Sequence, residues 1–167
     1  MSRGKDRLLI CVATCLGLGY SPFFPGTAGA LLGIACYVPI ALLVPGEPWQ
    51  SILIALALLI SCAITIALSP WAEKHFQEKD SSRFVTDEVA GFLLTVLLFR
   101  IEGHIWLTVL WAFPVTRIID IIKVPPAKRL EKLPGGWGVL ADDLLGSVYA
   151  AGLLYALKYL LPNAFAM

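Results

Sequence analysis

The sequence predicts an all-α fold, a polytopic membrane bundle of about four to five hydrophobic helices preceded by a re-entrant or interfacial segment. Two observations carry this. The 167 residues are 58% hydrophobic and only 15% charged, where a soluble domain is nearer half apolar and a quarter charged. The excess lies in long uncharged runs such as "SILIALALLISCAITIALSPW" and "GSVYAAGLLYALKYLL", the pattern of membrane-crossing helices. The length suits one domain over 1–167. The net charge of +1 points to no nucleic-acid partner, and nothing in the chain addresses an oligomer.

Segment 8–20 is apolar and glycine-bearing and, being short, reads as re-entrant or interfacial, with a crossing left open. With Arg3, Lys5 and Arg7 before it the N-terminus mimics a signal peptide. No good small-x-small site precedes a soluble domain, so cleavage is not expected. The loop "YSPFFPGTAG" follows. Residues 28–45 predict the first membrane helix, ended by Pro45-Gly46, and 51–70 the second. Residues 71–86 are polar. Two further helices are predicted over 87–100 and 104–122, broken at "EGH". A loop rich in Pro and Gly leads to the last helix, 139–161. Fourteen residues at 1.5 Å each make helix 87–100 about 21 Å long, short of the roughly 30 Å hydrocarbon core.

Basic residues set the orientation. Eleven of the 13 flank the N-terminus, the 71–86 segment and the loop before the last helix; only Arg100 and Lys158 sit near the other face. The N-terminus and both long loops are expected in the cytoplasm. Cys11, Cys15, Cys36 and Cys62 lie in apolar stretches without metal spacing and read as small buried hydrophobes. His75 and His104 are far apart and suggest no ligand pair.

The unusual polar residues all fall at the same predicted membrane face. Asp87 and Glu88 open the third helix, Arg117, Asp120 and Lys123 close the fourth, and Asp142 and Asp143 open the last. "DEVAG" and "DDLLG" both read acid-acid-x-x-Gly, with glycine free to admit a close helix neighbour. Capping and helix-dipole effects explain either pair alone. Two such pairs on one side point to ion binding, since acids near a bilayer pair, line water or hold ions. Arg117, Asp120 and Lys123 are spaced by three on one stripe. They make either a snorkelling belt or a phosphate clamp beside a metal ligand. Carboxylates suit Mg²⁺. Gly26 and Thr27 begin a helix whose N–H groups can bind an anion; Thr27 can equally be a cap.

Taken together, "SPFFPGTAGALLG", "DEVAG", "RIIDIIKVPP" and "GGWGVLADDLLG" resemble the four motif blocks of the phosphatidylglycerophosphatase A family, in order, over residues 17–146. The resemblance implies Mg²⁺-dependent hydrolysis of phosphatidylglycerophosphate in a bacterial inner membrane. It places the family's acids on Asp87, Glu88, Asp120, Asp142 and Asp143, its basic pair on Arg117 and Lys123, and its loop residues on Pro25, Gly26, Thr27 and Gly29. Thr116 stands where the family usually has Phe, and Lys123-Val124-Pro125-Pro126 keeps only the second proline of its Lys-Pro-x-Pro. Trp137 and Leu140 replace common methionines. On this reading Asp87, Glu88, Asp142 and Asp143 hold one or two Mg²⁺ ions. Arg117, Lys123, Gly26 and Thr27 meet the phosphate, and Asp120 ligates metal or orients water. A metal-activated water is the expected nucleophile, with an aspartyl-phosphate as the alternative. The rivals are a transporter using the acids as a cation path, and a Mg²⁺-dependent lipid-phosphate transferase. The acids cluster at one face rather than along a crossing route, and the transferase's Asp-x-x-Asp-Gly signature is absent.

Overall fold

A computed structural model describes residues 3–78, 81–130 and 132–165, without the side chains of Arg3 and Lys128. Lys79, counted above among the basic residues, lies outside them. Among the described residues seven α-helices follow one another: α1 (Arg3–Ala13), α2 (Pro25–Leu43), α3 (Glu47–Phe76), α4 (Thr86–Leu98), α5 (Ile105–Ile122), α6 (Ala127–Leu130) and α7 (Gly136–Leu160). No strand occurs among the described residues. Four helices, α2, α3, α5 and α7, are long and apolar enough to cross a membrane, so the all-α membrane bundle is observed.

The short helix α4 is the centre of the molecule. Val89, Ala90, Phe92, Leu93 and Val96 are all buried, and α2, α3, α5 and α7 pack around it. A helix sheathed by protein need not match the bilayer's thickness, which explains how 13 residues suffice. Small residues let the neighbours close in. A Cβ on Gly29 of α2 would lie 2.8 Å from the Val85 side chain, and one on Gly33 would lie 2.9 Å from Phe92. Hydroxyls tie the helices further. Thr65 of α3 lies 2.9 Å from the Thr86 hydroxyl, and Ser147 of α7 donates to the Gly91 carbonyl at 2.7 Å. The departure at Thr116 is absorbed in the same way: its hydroxyl lies 3.1 Å from that of Thr95 and 2.7 Å from the Ala112 carbonyl.

Outward faces are apolar. Only 11% of the apolar window of α3 is buried, and Leu59, Leu110 and Ile118 stand exposed. In water such a surface would be an aggregation site; in lipid it is matched. Exposed Trp49, Trp106 and Tyr159 mark one end of the helices, and Tyr20 and Trp137 the other, as at a membrane's two interfaces.

Three boundaries differ from expectation. The second helix runs on to Phe76 through part of the predicted polar loop, because Ala72 buries its face against Phe84 and Val139. At about 45 Å it exceeds the hydrocarbon core. The last helix begins at Gly136, not 139: Gly135 is its N-cap, and Gly136, read as loop, is a packing contact, where a Cβ would meet the Ile66 backbone at 2.7 Å. The first membrane helix begins at Pro25, with Phe24 as N-cap in a left-handed conformation (φ 51°). Thr27 therefore sits inside the first turn and is not the cap. Segment 8–20 is the end of α1, too short at 11 residues to cross, followed by a turn that grips the chain entering α4: the Val85 N–H donates to the Ala13 carbonyl at 3.2 Å.

Candidate active site

Because α4 runs antiparallel to α5 and its start meets the start of α7, the acids of three helices arrive at one end of the bundle. They line a cavity of about 310 Å³ with Pro25 and Gly26 of α2. Asp87, Glu88, Arg117, Asp120, Lys123, Asp142 and Asp143 all contribute to its wall. Thr27 does not line it, because it lies past the point where α2 touches the site.

Arg117 organises the centre. Its guanidinium pairs with Glu88 across the helices and with Asp120 at 3.1 Å on its own helix. Its side chain is only 12% exposed, which removes the snorkelling belt as its explanation. Lys123 ends α5 in a left-handed conformation (φ 49°) and donates to Asp142 at 3.1 Å. Such a conformation costs a non-glycine residue roughly 1–2 kcal/mol. Gly26 is the close-approach position: a Cβ there would collide with the Glu88 carboxylate and come within 2.9 Å of Arg117.

Glu88, Asp120 and Asp143 each bring one carboxylate oxygen within 4.8 Å of the others. Charges that close repel by about 3.5 kcal/mol per pair at an effective dielectric of ~20. Two basic side chains face five acids in the cavity wall, so a further cation suits it. Asp143 Oδ2 is buried without a hydrogen-bond partner among the described residues. Three hard oxygens and space for water fit Mg²⁺. The grouping differs from the expected metal set of Asp87, Glu88, Asp142 and Asp143. Asp120 joins Glu88 and Asp143, while Asp142 faces Lys123 and Asp87 lines the wall beside them. Nor do Asp142 and Asp143 open their helix: they sit in its second turn, beyond the reach of capping.

Cys15, whose thiol lies against the Val85 carbonyl, does not line the cavity. Burial, with the Asp87 carboxylate adding to it, pushes Cys15 up to about 12, so it stays protonated at neutral pH. Reasoning from sequence missed Phe24, Ser81, Ser82, Phe84, Val85, Ile121 and Val139, which complete the cavity wall. Ser81 and Ser82 lay in a segment read only for its charge, and the others carry no chemical signal.

The sequence profile described as "Phosphatidylglycerophosphatase A" matches residues 11–158. A Bacteroides thetaiotaomicron protein named "Putative phosphatidylinositol-3-phosphatase" is 32% identical over 157 residues, 92% of this chain and 96% of its own length. The phosphatidylglycerophosphatase A of Escherichia coli K12 is 31% identical over 152 residues, 90% and 84% of the two chains. That of Haemophilus influenzae is 32% identical over 149 residues, 89% and 87%. No solved structure matches the chain significantly.

Proposed function

Because the chain belongs to the phosphatidylglycerophosphatase A family, we propose that it is a Mg²⁺-dependent phosphatase that converts phosphatidylglycerophosphate and water to phosphatidylglycerol and inorganic phosphate. The observation that carries this reading is the meeting of Glu88, Asp120 and Asp143 from three helices around Arg117 in one cavity. A phosphomonoester brings about two negative charges. In the reaction water forms a new P–O bond as the bond to the glycerol oxygen breaks, and one water proton is passed on to that oxygen.

Glu88, Asp120 and Asp143 would hold Mg²⁺, which when bound supplies the positive charge that offsets the phosphoryl group and leaving oxygen. Arg117 and Lys123 hold phosphate oxygens. Arg117 does so with a planar fork fixed by two carboxylates, Lys123 as a mobile point charge. Asp87 and Asp142 are assigned the proton of the attacking water. The backbone at Gly26 brings N–H groups of the first turn of α2 towards the same space.

The relative named for phosphatidylinositol-3-phosphate supports a second reading of the head group. Both lipids end in a phosphomonoester on a polyol, so the phosphoryl chemistry is common to them. Phosphate release by the purified protein in detergent, on each lipid and with or without Mg²⁺, tests both. Release from phosphatidylglycerophosphate that requires Mg²⁺ is expected. Equal or faster release from the inositol lipid would move the head-group assignment, and release undiminished by chelation would remove the metal.

The proposed setting is a bacterial inner membrane with the site facing the cytoplasm, supported by the basic residues gathered at the site's end. A cysteine placed at Ser82, exposed on the cavity wall, should resist a membrane-impermeant maleimide added to intact cells and react after lysis. Ready labelling in intact cells would invert the orientation.

A further inference from the structure

The carboxylate cavity is lined by apolar as well as polar side chains. Ser81, Ser82 and Lys123 are among the polar ones. Of the apolar ones, Phe84, Val85 and Val139 are buried, while Phe24 at the start of α2 and Ile121 near the end of α5 are 71% and 64% exposed. The acids are enclosed: Asp87, Asp142 and Asp143 are all under 10% exposed. Ile121 does not stand alone. Ile118, one turn earlier, and Ile122, beside it, are also more than half exposed. They continue the outward stripe through Leu110 of a helix long and apolar enough to cross the membrane. The exposed apolar part of the cavity lining is thus continuous with the lipid-facing surface, and α2 and α5 are in contact.

We propose that the lipid substrate reaches the cavity sideways from the bilayer, between the start of α2 and the end of α5, with Phe24 and Ile121 against its glycerol backbone and first acyl carbons. The proposal rests on the phosphatase reading above and adds the route. The substrate is amphipathic: its phosphate must reach the enclosed acids, while its acyl chains lose free energy with every methylene drawn into water. A polar cavity whose lining includes exposed Phe24 and Ile121 meets both demands without lifting the chains from the membrane. A rival route exists. An apolar cavity of about 230 Å³ lies under α1, lined by Cys11, Cys15, Leu32 and Cys36. It reaches α4 at Thr86 and Val89, and none of the site's acids lines it.

The test uses the full chain in vesicles with a non-hydrolysable phosphonate analogue of phosphatidylglycerophosphate that carries a diazirine next to its acyl carbonyl. Adducts mapped by mass spectrometry are expected on residues 23–25 and 118–122, and to be displaced by the unlabelled analogue. Adducts on residues 11–16 or 32–36, or a pattern no different from that of a diazirine phosphatidylcholine, would overturn the route. Kinetics give a second reading. Ile118→Gln should raise KM for vesicle-borne substrate several-fold with kcat held, and Leu59→Gln, also more than half exposed but on α3, should leave both constants alone. Matching behaviour of the two variants would also overturn it. Phosphate release by the unmodified protein, measured in parallel, separates the two levels. Release with adducts elsewhere sinks the route alone, and no release from any lipid phosphomonoester sinks the phosphatase reading and the route with it.

Discussion

Asp143→Asn is expected to lower kcat on the lipid phosphate by a factor on the order of 10²–10³, the scale seen when one electrostatic contact to a transition state is removed. The side chain is buried in the second turn of α7, where one oxygen lies within 4.8 Å of oxygens from Glu88 and Asp120. Asparagine keeps the shape but removes the charge and turns an NH₂ group towards the cavity. Glu88→Gln and Asp120→Asn should fall in the same range. Asp142→Asn and Asp87→Asn, which remove the groups assigned the water's proton, should cost about 10²–10⁴-fold, the range of a general base. Mg²⁺ binding by calorimetry should weaken in the first three variants before activity is considered. Without Mg²⁺ the melting temperature of Asp143→Asn should hold or rise, since one of three crowded charges is gone. Near-normal kcat in all three trio variants across a Mg²⁺ titration would end the ligand assignment. Losses confined to Asp87 and Asp142 would return it to the paired acids of the two Gly-bearing motifs.

That contrast also marks what was legible in the sequence. The apolar runs announced their helices because membrane helices must be continuous and nearly uncharged. The acids stood out because charge in such a chain is costly and therefore purposeful. What sequence could not convey is how the helices turn about their axes. Asp120, spaced by three from Arg117, was expected to ligate metal or orient water, but spacing alone did not show that Arg117 holds it 3.1 Å away beside Glu88 of another helix. Gly135, Gly136 and Gly138 read as loop, because in soluble proteins glycine breaks helices. Here Gly136 packs against the α3 backbone, and the early start of α7 carries Asp142 and Asp143 down into the bundle. Helix α4 read as shorter than the hydrocarbon core, which left open whether it thins the bilayer or starts inside the protein; its neighbours are four other helices.

Arg117→Lys separates the two roles that spacing alone left open. As a membrane anchor Arg117 would tolerate lysine, since either side chain can extend to the interface. Its surroundings argue otherwise. The side chain is 12% exposed and its guanidinium spans two carboxylates, one from α4 and one from its own helix. Lysine carries the charge but has neither the planar fork nor enough donors in fixed directions to hold both acids and a phosphate oxygen. Losing one charge-assisted contact costs about 1.5–3 kcal/mol, or roughly ten- to a hundred-fold in kcat/KM at 1.4 kcal/mol per decade. The division between the constants carries further information. A fall in kcat and kcat/KM together means the contact tightens in the transition state, while a rise in KM alone means uniform binding of the phosphate. Lys123→Arg is the natural partner: its side chain is 31% exposed and has room for the larger head, so its loss should be smaller. The measurement is steady-state kinetics on the lipid phosphate, with a thermal melt to establish that each variant is folded. A folded Arg117→Lys protein within about two-fold of the parent, well under the 1.4 kcal/mol of a tenfold change, would leave Arg117 a structural tie and pass the phosphate to Lys123.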